Sequence, residues 1–253
     1  MRLMKMSSPQ VAEYFKHSDT VLLAIGSIEN HGYHNILGVD TLAPERILEL
    51  IEEKSNVLIA PTMPYGAADS LLGFPGTVSI GQEALCAVVD KIVESLYMCG
   101  AKKILFINGH GGNIGALERV GLEWYHKGVI TATLNWWTMV SGLNPDWKSG
   151  HGGAVETSAM MYIDPLLVDL SKVREMELKN DLGEELPSIS FRTVEYKGVQ
   201  VAVNRPVASH TDNGWVGDFD HPSGSSAKYG EDMLTAVADY ILDFIEIFKK
   251  VKI

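Results

Sequence analysis

An uninterrupted apolar run, Thr20-Val21-Leu22-Leu23-Ala24-Ile25, most narrows what this chain can fold into. It does not alternate, so neither of its faces is suited to water, and such a strand is stable only when covered on both sides. Three further runs behave alike: Val57-Leu58-Ile59-Ala60, Lys103-Ile104-Leu105-Phe106-Ile107 and Val129 to Leu134. Helical patterns separate them. A short helix opens on Ser7-Ser8-Pro9 and reaches about His17, with a capping Ser and Pro in the first turn. Leu42 to Glu53 carries Ile47, Leu48, Leu50 and Ile51; residues 82–99 are amphipathic and stop at Gly100; another helix spans about Ile114 to His126. Strand, loop and helix recur four times, which predicts a parallel sheet with helices on both faces.

In such sheets, sites form beyond the carboxyl ends of the strands. The unusual residues of this chain fall there. Glu29 and His31 follow the first strand, Tyr65 the second, His110 the third, and Trp136 and Trp137 the fourth. The Pro61–Thr77 loop, rich in Pro and Gly, is long for a plain connection and is expected to line a site. Glu29 and His31 stand at i and i+2, so in an extended segment they share one face. Asp40, nine residues past His31, lies far enough along for a loop to return. Carboxylate with imidazole suits zinc, manganese or iron better than calcium or magnesium. His110 sits among glycines in Asn108-Gly109-His110-Gly111-Gly112-Asn113. That stretch reads either as a tight turn with His110 a passenger, as a metal-binding turn, or as a phosphate cradle at a helix N-terminus. It does not match the dinucleotide spacing, because Ile114 stands where the last glycine belongs.

Beyond residue 150 the pattern changes. His151-Gly152-Gly153-Ala154-Val155-Glu156-Thr157-Ser158 opens a helix that ends near Asp164-Pro165, and it offers another imidazole and carboxylate. Glu156 in that first turn also complements the helix dipole. Residues 171–188 read as an irregular excursion, Ser190 to Val203 as a hairpin around Lys197-Gly198, Asn213 to Asp218 as a Gly-rich loop, and 226–250 as a closing helix. With no repeat or linker, residues 1–253 are expected to form one domain. The net charge of −11 argues against nucleic acid as a partner. No apolar run spans a membrane. Cys86 and Cys99 fall in a helical pattern and read as buried free thiols, which with the absence of a signal-type N-terminus suggests a cytoplasmic protein.

The stretches Gly26 to His34 with Val39-Asp40-Thr41, Asn108 to Asn113, and His151 to Ser158, with the weaker Gly214-Trp215-Val216-Gly217-Asp218, resemble the creatininase (creatinine amidohydrolase) family over nearly the whole chain. The resemblance implies a three-layer α/β/α sandwich with a mostly parallel central sheet. It also implies two divalent metal ions per subunit (Zn, Mn or Fe) and hydrolysis of a C–N bond in an amide, cyclic amide or formamide of a small molecule. Homo-oligomers, often hexamers, are implied as well. By position, Glu29, His31, Asp40 and His110 would be metal ligands, with Asp40 bridging. His151 would be the proton donor, and Glu156 a ligand or a water-orienting base. Tyr65, Trp136 and Trp137 are the candidates for walls of the substrate pocket. In creatininases proper a glutamate stands two residues after the His110 position; here it is Gly112, which argues against creatinine itself. Two other functions fit the same residues: ring-opening C–C hydrolysis of an oxidised cyclitol, and a non-enzymatic nucleotide- or phosphate-binding module using the 108–113 turn.

Overall fold

The four apolar runs lie side by side as parallel strands in a computed structural model that describes residues 1–215 and 220–252. They are β1 (Thr20–Ile25), β2 (Leu58–Ile59), β3 (Lys103–Asn108) and β4 (Ile130–Asn135), in the order β2-β1-β3-β4. β1 pairs with β3 from Thr20↔Lys103 to Ile25↔Asn108, and β3 with β4 up to Asn108↔Asn135. Every residue of the two central strands is buried, as their unbroken apolar character requires.

Period-two alternation sends successive side chains to opposite faces and so creates two cores. Leu22, Ala24, Leu105 and Ile107 pack with α2 (Val39–Glu52), α5 (Trp136–Leu143), α6 (Ala154–Ile163) and α7 (Ala227–Phe248). Val21, Leu23, Ile25, Ile104 and Phe106 pack with α1 (Ser8–His17), α3 (Gly81–Cys99) and α4 (Ile114–Tyr125). The architecture is the expected α/β/α sandwich. Glycines punctuate it where the chain must take a positive φ, as at Gly100 (φ 123°), which ends α3.

The largest displacement from the sequence reading is the start of α2. It begins at Val39 rather than Leu42, so Asp40 lies in the first helical turn and not in the preceding loop. An acidic residue there faces the positive end of the helix dipole. Pro44 lies inside the same helix and has no N–H, so no helical hydrogen bond reaches the Asp40 carbonyl.

After β2, the 61–77 loop is closed by the isolated bridge Gly66↔Ser79, and Val78, just past its end, bridges Ile28 of the first loop. The expected hairpin is present as β6 (Thr193–Tyr196) and β7 (Val199–Ala202), closed by Lys197 (φ 50°) and Gly198 (φ 76°). A third strand, β5 (Ser188–Ser190), extends it into an antiparallel meander that is separate from the main sheet. Both cysteines are free; Cys86 is half-buried, but Cys99 is exposed at the end of α3, contrary to expectation. Among the described residues no helix is long and apolar enough to cross a membrane. Of the Gly214–Asp218 motif, Gly214 and Trp215 are buried, and residues 216–218 lie outside the described residues.

Candidate metal centre

The carboxyl ends of β1 and β3 meet in a buried cluster of three carboxylates and three imidazoles. Glu29 and His31 come from the loop after β1, Asp40 from the first turn of α2, and His110 from the turn after β3. Glu156 comes from the first turn of α6, and His151 from just before it. Each imidazole has one nitrogen tied to a backbone carbonyl, and since a carbonyl only accepts, that nitrogen carries the hydrogen. His31 Nδ1 donates to the Glu29 carbonyl (3.0 Å), His110 Nε2 to the Ala67 carbonyl (3.1 Å), and His151 Nε2 to the Asn30 carbonyl (2.7 Å). The remaining nitrogen of each ring faces the carboxylates.

Two donor groups result. His110 Nδ1 lies 3.1 Å from both Glu29 Oε2 and Asp40 Oδ2. His31 Nε2 lies 3.2 Å from Asp40 Oδ1 and 3.6 Å from Glu156 Oε2. Asp40 therefore gives one oxygen to each group. His151 Nδ1 stands further off, 3.8 Å from Glu29 Oε1, with its ring stacked on His31 at 4.4 Å between centroids. His34, also in the first loop, turns away and bonds the Gly152 carbonyl (2.9 Å) and Thr157.

Backbone and amide contacts hold these groups in place. Asn108 Oδ1 accepts from the His110 N–H (3.2 Å), and its Nδ2 donates to the His110 carbonyl (2.9 Å). Asn113 donates to the Gly26 carbonyl (3.0 Å) and accepts from the Ala67 N–H (3.0 Å), joining three loops. Glu156 Oε2 accepts from the Gly152 N–H (2.6 Å). Asp220 accepts from the Gly150 N–H (2.9 Å) and the Val155 N–H (3.3 Å), on either side of His151. No local signal marked Asp220: its partners are 65 and 70 residues away in sequence.

Burial and the mutual charges of the cluster shift its titratable groups. Burial works against a charged His31, yet Asp40 and Glu156 beside it raise its pKa to about 10. His110 is raised well above its usual value, against its burial, by Glu29 and Asp40. Burial lifts Glu156 to about 8, with the Asp40 charge adding to the effect and His31 opposing it. Burial and the neighbouring His31 charge lower His151 to about 3, so its ring is neutral. Asp40 Oδ2 is buried, and 3.1 Å from it stands His110 Nδ1. Three groups among the described residues, Glu29/Asp40/His110, His31/Asp40/Glu156 and Glu29/His31/His151, bring their ligand atoms within 4.8 Å of one another, and the first two share Asp40. Buried carboxylates with imidazoles of fixed orientation fit a divalent transition metal.

Gly112 has no room for a side chain. A Cβ there would collide with the Ala67 carbonyl oxygen and stand 2.9 Å from His110 Cδ2. The glutamate of creatininases proper is thus excluded by packing as well as by sequence.

A cavity of about 860 Å³ opens on the cluster, and Trp137 and Phe191 line it beside His151. The other two aromatic candidates do not reach it. Trp136 is fully buried in the core under α2 and α7, and Tyr65 is half-exposed outside the lining. Consecutive helical residues point about 100° apart, so only one of Trp136 and Trp137 can face the cavity.

Fold and donor set together define an α/β enzyme with a divalent-metal centre. The family model for creatininase, creatinine amidohydrolase, matches residues 4–245, and the chain belongs to this family of metal-dependent hydrolases. It is 29% identical to the creatinine amidohydrolase of Pseudomonas putida over 175 residues, covering 60% of this chain and 67% of that protein. It is also 29% identical to the mycofactocin precursor peptide peptidase of Mycobacterium tuberculosis over 236 residues, covering 88% and 82%. A crystal structure of creatininase superposes with a TM-score of 0.76 at 23% identity, over 99% of this chain and 98% of that one. Other solved creatininases include a zinc and a manganese form.

Proposed function

We propose that the protein hydrolyses a C–N bond of a small amide, cyclic amide or formamide, with two divalent ions held in the paired donor groups. Glu29, Asp40 and His110 would hold one ion; His31, Asp40 and Glu156 the other, which makes Glu156 a ligand rather than a free base. The observation that carries this reading is the split of Asp40 between His31 and His110, one oxygen each at 3.2 and 3.1 Å. Bound divalent metal lowers the pKa of water toward neutrality and polarises a carbonyl oxygen.

The remaining chemistry falls to the chain. The His151 Nε2–H is tied to the Asn30 carbonyl, and Nδ1 is left as an acceptor facing the cluster. Nδ1 takes the proton released as water adds to the amide carbon. It then returns that proton to the leaving nitrogen as the C–N bond breaks. The products are a carboxylate and an amine or ammonia. Asp220 and Asn30 keep the ring in this orientation, and Trp137 and Phe191 shield it from solvent.

The reading takes residues 1–253 as one catalytic domain working in a homo-oligomer, which light scattering tests. Metal analysis of the purified protein and of Asp40→Asn tests the centre: about two equivalents in the first, and loss from both positions in the variant. Product analysis tests the bond. A new carboxylate is expected together with a new amine, ammonia or, from a formamide, formate (a cyclic amide keeps both new groups on one molecule), and a new carboxylate with no new amine, ammonia or formate would transfer the protein to C–C hydrolysis.

A further inference from the structure

The cavity has two kinds of lining. One end is the donor cluster; another part comes from the meander and the segment after β7, including Arg192, Thr193, Asn204 and Arg205. Four carboxylates line the cavity, Glu29, Asp40 and Glu156 in the cluster and Asp69 outside it, and the two arginines are contributed by the meander and the segment after it.

Arg205 is built in. Its side chain is 7% exposed, its Nε stands 3.2 Å from Asp181 Oδ2, and its Nη2 donates to Ser188 Oγ at 2.8 Å. Neither Asp181 nor Ser188 lines the cavity, so the guanidinium is anchored by groups outside the lining. Nη1, and Nε despite its ion pair with Asp181, are buried with no hydrogen-bond partner among the described residues. An unmade hydrogen bond on a buried charged group is costly, and an acceptor from outside the chain removes that cost. Arg192 lines the same cavity from an exposed position and forms no ion pair among the described residues. Asp69, a carboxylate of the lining outside the cluster, is engaged by Ser79 Oγ at 2.6 Å.

We infer that Arg205, together with Arg192, binds an anionic oxygen group of the substrate, a carboxylate or a phosphate carried away from the scissile amide. Guanidinium suits both, because its planar fork matches their paired oxygens. The inference deepens the proposed function, because it rests on the cavity being the substrate site. It narrows the substrate from any small amide to an acidic one.

The first test titrates inorganic phosphate and glutarate calorimetrically into the purified protein, both metal-loaded and chelated. The wild type is compared with Arg192→Met, Arg205→Met, Arg205→Lys and the surface control Arg46→Met. Binding of one anion is expected to survive chelation, to weaken with salt, and to fall about tenfold or more in Arg192→Met and Arg205→Met. Arg46→Met should bind as the wild type. Phosphate selectivity identifies a phosphorylated substrate and glutarate selectivity a carboxylated one. If Arg205→Met fails to fold, Arg192→Met on an exposed position and the charge-keeping Arg205→Lys still decide. Binding that vanishes on chelation, that is equal in the arginine variants, or that is absent for both anions overturns the inference.

The second test compares matched formamides with and without the charged group, and kcat/KM should favour the charged member at least about tenfold. Equal turnover of both members overturns the inference and leaves the hydrolase reading intact. Arginine-dependent anion binding without turnover of any amide refutes the hydrolase reading instead.

Discussion

Gly109 touches no metal ligand through a side chain, yet Gly109→Ala should empty the metal centre. A methyl at this position would stand 2.8 Å from the Asp40 carbonyl carbon and 2.9 Å from Pro44 Cγ, with the Asp40 oxygen closer still. Carbons touch at roughly 3.5 Å, so the turn after β3 and the start of α2 must separate by about 0.7 Å at least. Both sides are backbone or proline ring and cannot yield by changing rotamer. Asp40 and His110 ride on the two sides of this contact, and metal–ligand distances tolerate only about ±0.2 Å. The expected result is loss of one or both ions and of turnover, with an overpacking cost of about 1–3 kcal/mol in the fold. Metal content after gel filtration, turnover and a thermal melt measure the three effects. Gly142→Ala is the control: nothing lies within 4 Å of its added methyl, it is in α5, and it should stabilise by about 0.5–1 kcal/mol. A Gly109→Ala protein with full metal and wild-type turnover would refute the idea that this backbone contact sets the ligand geometry.

Glu156→Gln should lower the metal content from two equivalents to about one while the Glu29/Asp40/His110 group keeps its ion; retention of both would return Glu156 to the role of base. His151→Asn should leave metal content unchanged and reduce kcat by about 10²- to 10⁴-fold, measured by steady-state kinetics on a metal-replete sample. The chelated protein should lose stability as pH rises. His31 keeps its proton to about pH 10 when folded against 6.5 when unfolded, so its contribution is complete below 6.5 and is lost through 10. Glu156, raised to about 8 from 4.5, acts in the same direction between those values. Melts of chelated protein from pH 6 to 10 should show a falling Tm, and adding metal should release protons into the buffer; a Tm that rises across this window contradicts the arrangement.

The sheet was legible because its two central strands are buried on both faces, and that burial is written residue by residue from Val21 to Ile25 and Ile104 to Ile107; the edge strand β4 is only half-buried. The donor types were legible because carboxylates and imidazoles at strand ends are costly unless used. The start of α2 was not. Gly38 and Asp40 read as loop residues until the packing of Asp40 against Gly109 is seen, whereas the helix from Leu42 onward, Pro44 included, was legible. The choice between Trp136 and Trp137 depends on helix phase, which adjacent identical residues cannot reveal. Nor could composition single out Arg205, a buried guanidinium in the cavity lining whose Nε and Nη1 have no hydrogen-bond partner among the described residues.

The stretch from Glu29 to Asp40 therefore determined which chemistry this protein can hold, because ligand type is a property of side chains. The tertiary structure decided how the ligands divide. Asp40 reaches both His31 and His110 only because α2 starts two residues before Thr41 and lies against the turn after β3. That pairing joins residues 70 positions apart, a distance that only the folded backbone closes.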